Sequence, residues 1–223
     1  MNNLPDGYLT RAEPADANQI SHLVATAFHA LAPSEWLIPD EEIRREVFAP
    51  YFRIYVDLAM AHGTVYTTAD RAAAALWVSW GVPAESAGSG GLALLGQPAQ
   101  ESAEDHDARL AAVTGEWVDR FREFDATLDK HHPLDVPHDH LAILAVHPDR
   151  QRTGLGGALL SHHLDLLDRA QTPAYLEASD TGTRSLYLRY GFEDLGEPIQ
   201  LQDGPKMYPM WRQPARPDLR EAA

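Results

Sequence analysis

The chain contains no cysteine among its 223 residues. This absence excludes disulfide bonds and catalysis by a thiolate nucleophile, and we expect a cytoplasmic protein. No apolar run approaches the roughly 20 residues that a membrane-spanning helix needs. The first residues also lack the basic start and apolar stretch of a signal peptide, so we expect no membrane partner.

Basic residues are scarce, with 18 Lys and Arg against 33 Asp and Glu and a formal net charge of −15. Such an average field repels nucleic acids and anionic membrane surfaces, so neither is expected as a partner. The same field attracts cations and favours a cationic small molecule as the ligand. The alternative is that the charge only keeps the protein soluble.

Short strand patterns alternate with helical patterns along the chain. This alternation predicts an α/β (α+β) fold, with helices flanking a mixed sheet of about seven strands. A single domain is expected over residues 1–213. Residues 214–223 are expected to form a loose tail.

The helical patterns suggest several local features. The first helix is predicted over residues 17–30, and residues 31–40 are predicted as a loop. A second helix follows Pro39, and Pro50 is expected to kink or split it. Residues 103–128 are predicted as one long helix, inserted between the third and fourth strands after a loop at residues 81–96.

A glycine-rich turn follows the continuous apolar run at residues 141–146, which is predicted as a strand buried on both faces. Strand, turn and helix in this order present unpaired backbone N–H groups and partial positive charge to an anion. Gly154 and Gly156 let the backbone approach a ligand closely. Arg150 and Arg152 add cationic donors, so the turn predicts a phosphate site.

Two common phosphate motifs do not fit this turn, because the chain has neither G-x-x-x-x-G-K-[ST] nor G-x-G-x-x-G there. The run QRTGLG at residues 151–156 instead resembles the acyl-coenzyme A loop, Q/R-x-x-G-x-G/A, of the GNAT N-acetyltransferase superfamily. The run YLRYGF at residues 187–192 matches that family's Y-x-x-x-G-F. Residues 141–196 carry both motifs in order. The start of the insert and the YLE…Y-x-R-x-G-F run look most like puromycin N-acetyltransferase and its actinobacterial relatives.

The resemblance implies the GNAT fold, with splayed fourth and fifth strands, acetyl-coenzyme A as cosubstrate and no metal. The pantetheine arm would lie between the splayed strands, and the pyrophosphate would lie on the glycine-rich loop. Asp180 stands where many relatives carry an asparagine, and a carboxylate can accept but not donate, which leaves that contact open. The residues implied in cosubstrate binding are Leu144, Ala145, Val146, Gln151, Arg152, Thr153, Gly154, Leu155, Gly156, Gly157 and Asp180.

Acetyl transfer needs a neutral amine, an oxyanion stabiliser and a proton for the leaving thiolate. Tyr187 matches the family tyrosine that protonates the sulfur, and its alternative role is that of a core aromatic. Glu177 lies inside a predicted buried strand and matches a glutamate of puromycin-type enzymes that accepts a proton from the amine, through water. Its alternative is a structural glutamate bonded to the strand backbone or an arginine.

His138 and His140 share a strand face, a pattern that can hold a metal, but no third ligand is evident and none is needed for this chemistry. Asp139 and His140 are instead candidates for the acceptor pocket, where a base is useful. Trp36 is a candidate for stacking on the acceptor, against plain packing. The histidines predicted to be exposed are His131, His132, His162 and His163.

We therefore predict an acetyl-coenzyme A-dependent N-acetyltransferase that acts by direct transfer on the primary amine of a small molecule, such as an antibiotic or an aminonucleoside. One alternative is a non-catalytic acyl-coenzyme A-binding regulator with the same fold, and Tyr187 with Glu177 argues against it. Another is a protein whose loop binds a different phosphate, and the Y-x-x-x-G-F run argues against that. The acceptor, the acyl group and a homodimer are left open.

Overall fold

The computed structural model describes residues 5, 7–81 and 103–215. The α-helices within these residues are α1 (Ala17–Phe28), α2 (Ala32–Leu37), α3 (Glu41–His62), α4 (Ala103–Thr114), α5 (Val118–His131), α6 (Leu155–Ala170) and α7 (Thr181–Leu188). The strands are β1 (Leu9–Arg11), β2 (Thr64–Thr68), β3 (Ala73–Trp80), β4 (His138–Val146), β5 (Ala174–Ala178), β6 (Glu193–Asp194), β7 (Ile199–Gln200) and β8 (Lys206–Arg212). Residues 82–96 of the predicted loop and residues 216–223 of the predicted tail lie outside the described residues. No described helix is long and apolar enough to cross a bilayer.

The described strands form one mixed sheet in the order β1-β2-β3-β4-β5-β8-β6, with β7 paired to β8. Neighbouring strands run antiparallel except β4 and β5, which are parallel. The β4–β5 register covers only Asp139 opposite Ala174 and His140 opposite Tyr175. Beyond that point the two strands do not pair. The predicted mixed sheet with splayed fourth and fifth strands, flanked by helices and carrying a helical insert, is confirmed.

Two apolar cores lie on opposite faces of the sheet. One face of β3 contributes Leu76 to the core formed with α1 and α3, and the other contributes Trp77 to the core formed with α6. Trp80 packs against the first core, so the two tryptophans of β3 point to opposite sides, as the period of a strand predicts. The sheet is thus covered on both faces around the β4–β5 gap.

Pro50 does not split α3, which runs as one helix from Glu41 to His62. A proline in a helix interior forgoes one backbone hydrogen bond. Pro50 lies on the exposed side of α3, where water can satisfy the freed carbonyl group, while Phe48 and Tyr51 anchor the buried side. The expectation of a split was therefore wrong, because packing on one face holds the helix together.

Two segments fold differently from their predictions. Residues 32–37 form the short helix α2 inside the predicted loop, with a proline in the first turn. The buried Arg44 of α3 fixes this region, since its guanidinium donates to the carbonyl oxygens of His29 at 2.8 Å and Ile38 at 2.6 Å. The predicted long helix is two helices, because Gly115 takes φ of +56° at the break between α4 and α5.

Strand β4 begins three positions before the apolar run that predicted it, so His138, Asp139 and His140 belong to the strand. It is not buried on both faces. His140, Leu144 and Val146 are half-buried, because they line a cavity beside the edge of β4 that diverges from β5. A bulge in the pairing with β3 breaks the alternation of side chains, so Leu144 and Val146 lie on the α6 side of the sheet and His140 on the other. The unpaired edge of β4 thus borders the candidate site.

Candidate active site

A cavity of about 270 Å³ lies along the unpaired edge of β4. On one side it is lined by α2, α3 and α5, and on the other by the β5–α7 segment and Gln151. Glu177, Tyr187 and His140 all line this cavity. The splay of β4 from β5 therefore brings the two predicted catalytic residues and one predicted acceptor residue to one space.

Glu177 and His140 form a hydrogen-bonded pair across the diverging strands. The His140 Nε2 atom lies 2.9 Å from Glu177 Oε2, and the side chains are 16% and 7% exposed. Burial alone would raise the pKa of Glu177, but the charge and hydrogen bond of His140, with help from Tyr175 and His132, hold the pKa below its ordinary value. Glu177 is therefore an anion near neutral pH, bonded to an imidazole that reaches the cavity.

His132 and His138 form a second imidazole pair behind the first, with 3.1 Å between their Nε2 atoms. Both are buried, contrary to the prediction that His132 is exposed. Burial and the nearby His140 lower the pKa of His132 to about 3, and burial also lowers the pKa of His138. Both rings are therefore neutral at physiological pH, and the N–H group of one ring donates a hydrogen bond to the nitrogen of the other.

Tyr187 lies on α7 and is 8% exposed. No described residue hydrogen-bonds its hydroxyl group. Burial, with the charge of Asp180, raises the pKa of this hydroxyl well above its usual range. Tyr187 is thus a protonated, unengaged donor on the cavity wall, which suits a general acid.

The glycine-rich turn leads into α6 with the geometry that an anion site requires. Gly154 precedes the helix with φ of +94°, in the left-handed region that favours glycine. A Cβ atom on Gly156 would lie 3.3 Å from Val146 Cγ2, so this glycine lets α6 approach β4 closely. The free N–H groups of the first turn of α6 therefore point out beside the open end of β4.

The side chains around this turn have different roles. Arg150 forms an ion pair with Asp70 at 2.7 Å and is already engaged, whereas Arg152 is exposed with no partner among the described residues. Thr153 donates to the carbonyl oxygen of Arg150 at 2.6 Å, and Gln151 lines the cavity. The loop therefore offers one arginine, Arg152, where the sequence suggested two.

The other predicted cosubstrate residues could act mainly through their backbones. Leu155 and Ala145 have core side chains that are 3% and 0% exposed. A Cβ atom on Gly157 would lie 2.2 Å from the hydroxyl of Tyr190, so its small size serves packing. The side chain of Asp180 caps α7, accepting from the N–H groups of Gly182 and Thr183. Leu144 and Val146 line the cavity.

Two predicted acceptor residues are engaged away from the described cavity lining. Asp139 accepts from His163 Nε2 at 2.8 Å on the α6 side of the sheet, where His163 is buried and stacks on Trp77. Because side chains alternate along β4, Asp139 faces away from His140. The Trp36 indole donates to the Gln202 carbonyl oxygen at 2.9 Å. Its neighbours on α2, and not Trp36 itself, line the cavity.

The sequence reasoning did not identify Asp125 and Tyr55, which also line the cavity. The Tyr55 hydroxyl lies 3.1 Å from both carboxylate oxygens of Asp125. A signal was present in the sequence, because Asp125 interrupts the apolar face that Phe121, Phe124 and Leu128 form at helical spacing. A carboxylate on an apolar helix face is unusual and indicates a specific partner or function.

His132, His140 and Glu177 could also hold a metal ion, because one ligand atom from each lies within 4.8 Å of the others. His138, which the sequence paired with His140 as a possible metal ligand, is not part of this group. However, each of these side chains already has a hydrogen-bond partner at 3.1 Å or less. The arrangement satisfies the donors and acceptors without an ion, and proton transfer needs none.

Comparisons with known proteins agree with this geometry. Residues 132–213 match the family model called acetyltransferase (GNAT) domain. A mycothiol acetyltransferase from Clavibacter sepedonicus is 37% identical over 106 residues, which cover 43% of this chain and 34% of that protein. The chain thus spans about a third of the length of this curated relative.

Solved structures resemble nearly the whole chain. A Corynebacterium glutamicum structure named histone acetyltransferase HPA2 and related acetyltransferase has a TM-score of 0.65 and 24% identity, covering 95% of this chain and 98% of that one. Arylalkylamine N-acetyltransferase 2 from Aedes aegypti has a TM-score of 0.57 and 13% identity, covering 93% of this chain and 98% of that one. The chain has the fold of these acetyltransferase structures, and residues 132–213 match the GNAT acetyltransferase domain.

Proposed function

We propose that this chain is an acetyl-coenzyme A-dependent N-acetyltransferase of the GNAT superfamily, built as a single domain over residues 1–213. It would transfer an acetyl group directly to the primary amine of a small molecule. One observation carries the proposal: a single cavity joins the unpaired edge of β4 to the Glu177–His140 pair and to Tyr187.

The residues present fit acetyl-coenzyme A, which supplies an acetyl thioester when bound. The unpaired backbone of β4 beyond His140 can hydrogen-bond an extended arm as a further strand would. The first turn of α6 and Arg152 can bind the pyrophosphate. An N–H group on the free edge of β4 can also stabilise the negative charge that develops on the thioester oxygen.

The Glu177–His140 pair would take up the proton that the amine loses as its nitrogen attacks the acetyl carbon. The hydrogen bond to Glu177 orients the His140 imidazole, and this ring would accept the proton directly or through water. As the new C–N bond forms and the C–S bond breaks, Tyr187 would donate its proton to the departing sulfur. The products are an amide and a free thiol, and the enzyme is restored when His140 releases its proton to solvent and Tyr187 regains one.

The proposal is tested by following free thiol release from acetyl-coenzyme A in the presence of a panel of primary amines. Release that depends on an amine is the expected result. Tyr187→Phe and Glu177→Gln should each lower kcat by about 100-fold or more, with acetyl-coenzyme A affinity within about threefold of wild type. Tyr208→Phe and Glu193→Gln, on β8 and β6, are matched controls that should keep wild-type rates.

Two other outcomes would contradict the proposal. If acetyl-coenzyme A raises the melting temperature but no amine releases thiol, the protein is a non-catalytic acyl-coenzyme A-binding regulator. If acetyl-coenzyme A gives no stabilisation while another phosphate ligand does, the assignment of the α6 loop is wrong. The control ligands for this comparison are NAD and ATP.

The amine panel should include puromycin, because the sequence resembles puromycin N-acetyltransferase and an antibiotic acceptor is part of the proposal. It should also include mycothiol-related amines and arylalkylamines, given the names of the relative and the structural neighbour. Cytoplasmic location, the absence of a resident metal and a homodimer remain predictions. Size-exclusion chromatography with light scattering measures the last of these.

A further inference from the structure

The acceptor side of the cavity holds a carboxylate that the proposed transfer does not use. Asp125 lies on α5, one wall of the cavity, and is only partly exposed. An ionised carboxylate offers about four acceptor sites. Within the described part of the chain, the Tyr55 hydroxyl is its sole hydrogen-bond donor. Asp125 therefore has accepting capacity directed at the cavity that the protein itself does not fill.

Aromatic rings line the cavity that this carboxylate reaches. Tyr51, Phe52, Phe28 and Phe124 are among the lining residues. The Tyr51 and Tyr55 rings are in edge contact, with centroids 5.1 Å apart. Aromatic faces attract cations through their quadrupoles. A carboxylate among aromatic rings is thus a site for a cation with an apolar body, and no Lys or Arg is among the described residues that line the cavity.

The spacing along α5 relates this site to the reacting centre. His132, at the end of α5, lies beside the Glu177–His140 pair. Seven positions separate it from Asp125, and a rise of 1.5 Å per residue makes this roughly 10 Å along the helix. One ligand within the cavity could therefore place an amine at the Glu177–His140 pair and a second charged group at Asp125.

We propose that Asp125, with Tyr55, binds a second cationic group of the acceptor, so that the acceptor is a diamine-type cation with an apolar or aromatic body. The two charged nitrogens would lie within roughly 10 Å of each other. This inference rests on the proposed function. Tyr55 is a positioning residue here, because its hydroxyl orients the carboxylate.

A matched pair of amines tests the inference. In 1,4-bis(aminomethyl)benzene a second amine replaces the methyl hydrogen of 4-methylbenzylamine, so the two share one apolar body. Binding to the enzyme loaded with coenzyme A, which lacks the acetyl group, is measured by calorimetry, and thiol release is measured separately with acetyl-coenzyme A. Wild type should prefer the diamine by about tenfold or more in both Kd and kcat/KM.

The variants locate the source of this preference. In Asp125→Asn the preference should fall to within about threefold of unity, because the amide keeps the shape but loses the charge. Tyr55→Phe should lower the preference only in part, because the carboxylate keeps its charge but loses the hydroxyl that orients it. Asp119→Asn removes an equal charge from the same helix, where the side chain is 90% exposed, and should leave the preference intact.

The outcomes separate the two proposals. Equal binding of both amines to wild type, or a preference that survives in Asp125→Asn, overturns the role of Asp125 even if thiol release proceeds. A preference in calorimetry that Asp125→Asn abolishes supports that role, and absence of thiol release in the same samples would then overturn only the proposed transfer. Melting curves of each variant verify that it is folded.

Discussion

Asp125 shows at the level of one residue how burial is linked to stability. Burial raises the pKa of this carboxyl to about 7, although the hydrogen bond from Tyr55 opposes the rise. In the unfolded chain an aspartate titrates near 3.9. Between these values the folded state binds a proton that the unfolded state has lost, so the stability from this group is complete below pH 4 and is lost as pH rises through about 7.

We therefore expect Asp125→Asn to resemble wild type in stability near pH 4 and to exceed it by roughly 1–3 kcal/mol at pH 8, since the amide cannot ionise. Urea unfolding at pH 4.5, 6, 7 and 8 measures this difference. Other titrating groups, such as His132, cancel in the comparison because both proteins contain them. The exposed Asp119→Asn should show a constant difference, and a constant difference for Asp125→Asn would rule out a buried, titrating carboxyl.

The sequence predicted individual residues where a motif fixed their position. Glu177 and Tyr187 reach the cavity from positions that the family resemblance implied, whereas His140 lies in the part of β4 that precedes the predicted strand. Asp139 was a candidate for the acceptor pocket because a base is useful there, and Trp36 because its ring could stack on the acceptor. Alternation along β4 directs Asp139 to His163, and the bond to Gln202 turns Trp36 toward the β7–β8 turn. Partners this distant in sequence are not readable from local patterns.

At the level of elements, the start of α6 packs so closely that one glycine is required. A Cβ atom on Gly157 would meet the Tyr190 hydroxyl at 2.2 Å and the ring carbon that carries it at 3.3 Å. The contact ties α6 to the Y-x-x-x-G-F segment, because Tyr190 lies within it. The two sequence motifs are thus in physical contact, which couples the shape of the glycine-rich loop to the segment that carries Tyr187.

Gly157→Ala should destabilise the protein by about 1–3 kcal/mol through this overlap. Removing the oxygen in Gly157→Ala/Tyr190→Phe should recover most of the loss, and a double-mutant cycle in urea measures the coupling. Gly196→Ala is a useful comparison, because its φ of +74° imposes backbone strain without any atom within 4 Å of the new Cβ. No recovery in the double variant would show that the backbone, and not the hydroxyl, limits this position.

Element prediction succeeded where periodicity was uninterrupted and failed where a single contact decided the outcome. The break between α4 and α5 depends on the positive φ of Gly115, and glycine is also tolerated inside helices. Helix α2 depends on the buried Arg44, whose partners lie on both sides of α2 in sequence. Strand β7, which pairs with β8, has only two residues and is too short to show any periodicity.

For the whole molecule, the sequence predicted the sheet and its splay but not the strand order at the far edge. β8 lies between β5 and β6, although β6 follows β5 in sequence. Strands that follow one another in sequence are usually neighbours in the sheet, so chain order alone would place β6 beside β5. The insertion of β8 depends on its pairing with β5 over five positions, from Ala174 opposite Arg212 to Ala178 opposite Tyr208. That pairing is a property of the folded molecule and not of either strand.

The formal net charge of −15 acts on the two substrates of the proposed reaction with opposite sign. A cationic amine is attracted by the average field, whereas acetyl-coenzyme A carries several negative charges and is repelled. Salt screens both effects, because the Debye length falls from about 30 Å at 0.01 M to about 8 Å at 0.15 M. We therefore expect kcat/KM for 1,4-bis(aminomethyl)benzene to fall severalfold over this range and the association rate of acetyl-coenzyme A to rise.

Steady-state kinetics measure how kcat/KM for the amine depends on salt, and stopped-flow binding measures how the association rate of acetyl-coenzyme A depends on it. Sodium chloride and potassium acetate at equal ionic strength distinguish screening from competition by chloride. A binding rate for acetyl-coenzyme A that falls with salt would contradict the expectation. It would mean that Arg152 and the first turn of α6 govern the approach of the anion, with the net charge of the molecule secondary. In Arg152→Gln the association rate of acetyl-coenzyme A would then rise with salt, because the substitution removes the exposed cation of that loop and leaves the rest of the field unchanged.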